Sequence, residues 1–241
     1  MIEALARRYG LGQVAQRRLA TLLEALISDP LAPTSVRDPR RVLEDHLADS
    51  LVALELVEVR AARQLADIGS GAGLPGLPLA IAQADAGAEV HLVESNGRKC
   101  HFIAKLVQAC GLTNATVVNA RAEAWPEGRD RFDLVTARAL APLAVVAEYG
   151  APLLRLGGTL LVWRGRRDAA DEESALVAAG ELGLEMHEAL PVNPYPGAAN
   201  RHLQAMVKRS PTPERFPRRP GVARKRPLGG ALPPTSDRRR R

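Results

Sequence analysis

At 241 residues, 46% of them apolar, the chain is long enough to bury a full hydrophobic core. No stretch approaches the roughly 18 consecutive apolar residues of a membrane span, and the start, Met1-Ile2-Glu3-Ala4-Leu5-Ala6-Arg7-Arg8, lacks the basic-then-apolar order of a signal peptide, so a cytoplasmic protein without a membrane partner is expected. The only cysteines, Cys100 and Cys110, form neither a zinc site nor a redox pair, and no metal site is expected; the net charge of +6 is concentrated in residues 208–241, which carry twelve Lys and Arg against Glu214 and Asp237.

The first 60 residues predict helices, with Val14, Leu19, Leu22, Leu23, Leu26 and Ile27 at helical spacing. The chain leaves the helix around Leu31-Ala32-Pro33-Thr34-Ser35-Val36-Arg37, and Asp38 then caps a second helix that opens at Pro39 and runs through Leu56. From Leu65 strands and helices alternate: strand 65–68, helix 76–84, strand 89–94, helix 97–110, strand 116–119, a short helix near 121–124, strand 132–137, helix 142–154, strand 158–163 and helix 168–180. This alternation predicts a parallel sheet covered on both faces. Two further strands, near 184–190 and 202–208, are joined through Pro191-Val192-Asn193-Pro194-Tyr195-Pro196-Gly197, too short for a helical crossover, so the last strand runs antiparallel. The expected fold class is α/β: the Rossmann-like arrangement of class I methyltransferases, a seven-stranded, mostly parallel sheet with an antiparallel last strand and a helical N-terminal extension.

The strand 65–68 ends in Asp67-x-Gly69-x-Gly71-x-Gly73, where alternating glycines let the backbone approach a ligand and a helix beginning at Pro75 directs its amides back towards the loop. The same residues satisfy the dinucleotide fingerprint as Gly71-x-Gly73-x-x-Gly76. Register separates the two readings: the strand runs out at Ile68, and an Asp67 carboxylate facing the cradle would repel a pyrophosphate but attract a sulfonium cofactor. S-adenosyl-L-methionine is therefore the expected cofactor. Glu94, at the end of Val90-His91-Leu92-Val93, stands where a carboxylate accepts from ribose hydroxyls.

Substrate chemistry is expected after Phe132-Asp133-Leu134-Val135-Thr136-Ala137-Arg138-Ala139. The Asn/Asp-Pro-Pro-aromatic turn used on exocyclic base amines is missing there, and both cysteines lie on another helix, which argues against thiolate attack on a pyrimidine. A ring nitrogen such as guanine N7 carries a lone pair and no proton, so methylation needs alignment rather than a base, and the fork of Arg138 suits that positioning.

These residues resemble the 16S ribosomal RNA guanine-N7 methyltransferase family, also called the glucose-inhibited division protein B family. The likeness extends over nearly the whole chain through Thr34-Ser35-Val36-Arg37-Asp38-Pro39, His46-Leu47-Ala48-Asp49-Ser50, Asp67-Ile68-Gly69-Ser70-Gly71-Ala72-Gly73-Leu74-Pro75-Gly76, Arg121-Ala122-Glu123, Arg138-Ala139 and Arg201-His202-Leu203. It implies that Gly69 and Leu74 line the cofactor, Glu94 takes the ribose, Ala122 and Glu123 flank the adenine, Arg138 reaches the active site, and the face shared by His46 and Asp49 closes the substrate side. It departs from the family where Ala32-Pro33-Thr34 replaces Asn-Leu-Thr and Trp163-Arg164-Gly165 replaces Leu-Lys-Gly.

The expected enzyme transfers a methyl group to guanine N7 in a 16S rRNA stem-loop near the decoding site, acting as a monomer on 16S rRNA or a small-subunit precursor. Its cofactor residues are Asp67, Gly69, Gly71, Gly73, Leu74, Glu94, Ala122, Glu123 and Arg138; its RNA-binding residues are His46, Arg37, Arg164, Arg224, Lys225 and Arg226. The corresponding divisions are a helical extension over 1–60, an S-adenosylmethionine-binding methyltransferase domain over 61–209, and a basic, disordered tail over 210–241. An NAD-binding oxidoreductase domain and a non-catalytic RNA-binding module are the alternatives.

Overall fold

The computed structural model describes residues 1–230. The chain opens with α1 (Ile2–Tyr9) and α2 (Gln13–Ser28), followed by α3 (Pro39–Val42), whose N-terminus is capped by the Asp38 side chain accepting from the Arg41 amide. The helix does not continue regularly to Leu56 as its sequence suggests. A π-helical turn over Leu43–Ala48 passes into α4 (Asp49–Leu51), a 3-10 turn over Val52–Glu55 and α5 (Val57–Ala61). Inserted π turns of this kind are common at functional sites, and this one carries His46.

The alternating part then runs β1 (Gln64–Ile68), α6 (Gly76–Ala82), β2 (Glu89–Glu94), α7 (Gly97–Ala109), β3 (Ala115–Asn119), β4 (Phe132–Arg138), α8 (Leu143–Gly150), β5 (Leu154–Arg164), α9 (Ala169–Leu182), β6 (Leu184–Met186), β7 (Leu190–Pro191) and β8 (His202–Lys208). The sheet order is β3-β2-β1-β4-β5-β8-β6, with the two-residue β7 also pairing β8. Strands β1 to β5 pair in parallel, and β8 is antiparallel to β5 and β6, which is the expected class I arrangement. The central position of β1 explains its mostly apolar composition: Leu65, Ala66 and Ile68 are buried together with the single acid Asp67, with helices over both faces.

Two hydrophobic clusters sandwich the sheet. On one side Leu19, Leu22 and Leu26 of α2 join Leu65, Leu77 and Phe102, so the N-terminal helices share the core of the α/β unit. On the other, Val135, Leu160, Val146 of α8 and Ala178 of α9 pack with Phe216 and Ala223.

Those last two residues correct the expectation of a disordered tail from residue 210. The segment 208–230 is a strap that includes α10 (Val222–Lys225). Lys208 is buried, donating to the Ala151 carbonyl and Thr212; Thr212 in turn donates to the Leu182 carbonyl at 2.9 Å. Phe216 is 2% exposed, and Arg218 donates from its amide and Nε to Glu148, itself 1% exposed, at 3.0 and 2.9 Å. A buried aromatic and a buried ion pair outweigh the Pro/Arg-rich composition that signals disorder. The remaining part of that expectation, 231–241 with Arg238 to Arg241, lies outside the described residues. Among the described residues no helix is long and apolar enough to cross a membrane, and no cluster of His, Cys, Asp or Glu is arranged to hold a metal.

Candidate functional site

The loop between β1 and α6 adopts the backbone its glycines permit: Gly69, Gly71 and Gly73 have φ of 69°, 59° and 85°, the left-handed region closed to most side chains. Their surroundings differ. A Cβ on Gly69 would lie 2.5 Å from Leu140 Cδ1 and one on Gly73 2.3 Å from Leu77 Cδ1, whereas one on Gly71 would meet only the Gly69 carbonyl at 3.7 Å. Gly71 thus presents open space to a ligand, while its neighbours are pressed against the protein. Gly71→Val is expected to strain the loop and fill that space, weakening cofactor binding at least 100-fold (about 3 kcal/mol) in calorimetry; unchanged affinity would place the cradle elsewhere.

Asp67 does not face the cradle. It is fully buried and accepts from Ser70 Oγ at 2.7 Å, Thr136 Oγ1 at 2.9 Å and the Gly76 amide at 3.1 Å, tying β1, the loop, α6 and β4 together. Burial pushes its pKa up to about 6, against the opposing hydrogen bonds. The Gly76 amide is therefore taken up internally; Gly76 itself is a glycine because a Cβ would lie 2.3 Å from Leu92 Cδ2. Leu74 is buried in the apolar cluster beneath the loop.

Glu94 ends β2 under the same loop. Its Oε2 accepts from the Gly71 amide at 3.1 Å and its Oε1 from the Asn96 amide at 2.8 Å, so the carboxylate braces the cradle and keeps lone pairs for further donors. Beside it opens a cavity of about 280 Å³ lined by Gly69, Ser95, Ala122, Glu123, Leu140 and Tyr149, with Arg224 from the strap. Burial and the adjacent Glu123 charge raise the Tyr149 pKa, and Arg224 counters them.

A second cavity, of about 390 Å³, lies at the end of β4 and β5 and is lined by Asp45, His46, Asp49, Arg138, Trp163, Arg164 and Arg201, among others. Arg138 donates to Asp49 at 3.0 Å and to the Asp45 carbonyl at 3.3 Å; Arg201 pairs with Asp45 at 3.1 Å and Asp49 at 3.4 Å. Tyr195 donates to Asp45 at 2.6 Å and Trp163 Nε1 to the Asp49 carbonyl at 2.6 Å. Burial raises the Asp45 pKa, but the Tyr195 and Arg41 donors and the Arg201 charge hold it below the usual carboxylate range. His46 shares the cavity with Asp49, as their spacing predicts. Its Nε2 meets Thr34 Oγ1 at 2.8 Å, while Nδ1 is buried without a partner among the described residues. Burial, then the Arg138 charge, lowers its pKa, keeping the ring neutral at pH 7.

Residues 138–140 form the wall between the two cavities: Arg138 and Ala139 border the larger and Leu140 the smaller. Ala139 has φ of 53°, a strained conformation for a residue with a Cβ, and this turn sends successive residues to opposite sides. Arg138 thus borders the larger cavity, held there against the Asp49 carboxylate.

The RNA-binding assignments fare unevenly. Arg37 is occupied by the Leu26, Asp29 and Ala32 carbonyls at 2.7, 2.9 and 3.2 Å, which makes it a brace for the end of α2 rather than an RNA contact. Arg164 reaches the larger cavity but is paired with Asp171 and Glu172 at 2.8 and 2.9 Å. Arg224 lines the smaller cavity and, like Lys225 and Arg226 beside it, is exposed. Asp45, Tyr195, Leu140 and Tyr149 were not singled out from sequence; Arg201 was visible only within its Arg-His-Leu motif.

A family model described as rRNA small subunit methyltransferase G matches residues 20–188. The protein described as ribosomal RNA small subunit methyltransferase G in Rubrobacter xylanophilus is 41% identical over 200 residues, 80% of this chain and 76% of that protein. The protein so described in Roseiflexus castenholzii is 43% identical over 201 residues, covering 81% and 83%. Among solved structures, a SAM-dependent methyltransferase from Aquifex aeolicus superposes with a TM-score of 0.54 at 14% identity, covering 69% of this chain and 93% of that one. Fibrillarin from Aeropyrum pernix, solved with natively bound S-adenosyl-L-methionine, gives 0.50 at 18% identity, covering 66% and 73%. At these identities the structures speak to the fold, whereas the family match and the two relatives extend over most of the chain. A left-handed glycine loop braced by Glu94, a second cavity at the end of β4 and these similarities together show that the chain belongs to the rRNA small subunit methyltransferase G family.

Proposed function

We propose that the protein transfers a methyl group from S-adenosyl-L-methionine to N7 of a guanine in small-subunit ribosomal RNA. The observation that carries this reading is the pair of cavities on either side of residues 138–140, one bordered by the glycine loop and the other by Asp45, Asp49, Arg138 and Arg201. A donor and an acceptor bound there would meet at the end of β4.

The smaller cavity fits the cofactor's nucleoside end. Glu123, which lines it, would accept from an adenine amine; just outside it the Glu94 carboxylate, which braces the loop, would accept from ribose hydroxyls, and the open space above Gly71 admits the ligand against the backbone. When bound, S-adenosylmethionine supplies a methyl group on a positively charged sulfur. The chain's own residues orient the base and receive the charge that the base acquires. Guanine N7 has no proton to lose, which agrees with a cavity whose histidine is neutral and hydrogen-bonded to Thr34 rather than aligned as a base. Methylation makes the ring cationic, and the Asp45 and Asp49 carboxylates offset Arg138 and Arg201 so that this charge meets no excess of positive groups. Arg138, held by Asp49, positions the base through its remaining donors.

The test is turnover of the purified protein with S-adenosylmethionine carrying a labelled methyl group and 16S rRNA or small subunits from a strain lacking the gene, followed by nucleoside mass spectrometry. Labelled 7-methylguanosine is the expected product. Label in another nucleoside would overturn the N7 assignment, and binding of RNA without transfer would favour a non-catalytic module.

A further inference from the structure

The C-terminal strap ends at a place its composition does not suggest. It is fastened along the back of the molecule by Lys208, Thr212, Phe216 and the Arg218–Glu148 pair, and Ala223 of α10 is buried within the α8 cluster. These fastenings deliver Arg224 to the 280 Å³ cavity that Ala122 and Glu123 also line. There its Nη2 donates to the Leu140 carbonyl at 2.9 Å. Leu140 is also the residue against which Gly69 is packed, so Arg224 holds in place the side of the cavity that faces the glycine loop.

We propose that Arg224 is a cofactor-site residue: its guanidinium forms the outer wall of the adenine-side cavity and, through Leu140, positions that cavity's inner wall. The strap is then part of the cofactor site rather than an RNA-binding tail, a conclusion that rests on the methyltransferase reading above. The chemistry suits the place. The guanidinium is steadied by the Leu140 carbonyl and by Tyr149, which leaves its flat cationic face free to lie against the π system of an adenine. Glu123 across the cavity takes the complementary donor, the exocyclic amine. The exposed Lys225 and Arg226, which line neither cavity, are left to meet an RNA phosphate.

The experiment measures binding of S-adenosylhomocysteine and of adenosine to the full chain by calorimetry, with adenosine read by displacement. Four variants are compared with wild type: Arg224→Ala, Arg224→Lys, Arg219→Ala, and a chain ended at Pro220, which keeps Phe216 and Arg218. Arg224→Ala is expected to weaken both ligands by the same factor, about tenfold, because adenosine carries all of the contacted surface. The chain ended at Pro220 should match it, Arg224→Lys should fall between, and Arg219→Ala, which removes an exposed charge from the same strap, should stay within twofold. Wild-type affinity in Arg224→Ala, or a loss confined to S-adenosylhomocysteine, would overturn the assignment. If Arg224→Ala loses the fold, shown by its thermal midpoint, the Arg224→Lys result decides: undiminished binding of both ligands rejects the wall. Failure of the wild-type chain to bind S-adenosylhomocysteine would instead remove the methyltransferase reading, a separate outcome.

Discussion

Replacing Arg138 by Met is expected to lower kcat/KM for rRNA methylation about 10²- to 10³-fold, the roughly 3–4 kcal/mol associated with losing a preorganised polar contact at a reacting centre. Cofactor affinity should change less than threefold, because Arg138 is engaged by Asp49 and the Asp45 carbonyl at the larger cavity. Part of the loss comes from the partner left behind. Asp49 is 9% exposed in its side chain, and without Arg138 at 3.0 Å it keeps only Arg201 at 3.4 Å. Removing one member of such a pair costs about 3–5 kcal/mol of stability, more than removing both, so Asp49→Asn added to Arg138→Met should restore part of the unfolding free energy. Activity should not return with it, since the double variant still lacks the donor. Arg138→Lys keeps the charge but not the fork and should recover only a fraction of the rate. Full activity in Arg138→Met, measured under single turnover, would exclude it from positioning the base.

Asp67 carries the second large effect, and it falls on stability. Asp67→Ala would leave the Ser70 and Thr136 hydroxyls and the Gly76 amide without their buried acceptor, a loss of about 3–5 kcal/mol, and would release the loop from α6 and β4. Asp67→Asn is milder: its carbonyl can take the Ser70 and Gly76 donors while its amide turns to Thr136, whose hydroxyl can accept. The wild-type carboxyl has a folded-state pKa of about 6, above the roughly 3.9 of an unfolded Asp, so folding favours its protonated form. Its contribution is complete below pH ~4 and is lost as pH rises through about 6, amounting to about 3 kcal/mol over two units. Urea unfolding of wild type and Asp67→Asn between pH 4 and 7 should show the wild type losing that much relative to the variant. A difference that stays flat across the range would show that the carboxylate ionises normally.

Most of the strand and helix positions were legible because buried parallel strands and covering helices leave different apolar periods, and the short link before β8 forced its reversal, whereas the order of the strands in the sheet came only with the structure. The glycine loop and Glu94 were legible for the same local reason: positive φ selects glycine, and a carboxylate at a strand end stands out. Asp67 was misread because sequence places it at the loop but cannot tell which face of a central strand its side chain takes; the inward face met Thr136 of β4. Arg37 was misread because exposed and carbonyl-capping arginines look alike until the end of α2 is positioned. The strap was missed because Pro- and Arg-rich composition is a statistical sign of disorder, whereas its order depends on Phe216 and on one partner, Glu148, seventy residues earlier. The wall at residues 138–140 was also invisible, since nothing in Arg-Ala-Leu announces a left-handed alanine.

Strand β8 lies between β5 and β6, although it is synthesised after both. Among the described residues β6 pairs with no strand other than β8, so its backbone groups stay bonded to water until that later strand arrives. The interval is closed by contacts distant in sequence, which form slowly. The sheet is therefore completed late in folding, by a strand that must enter between two already made.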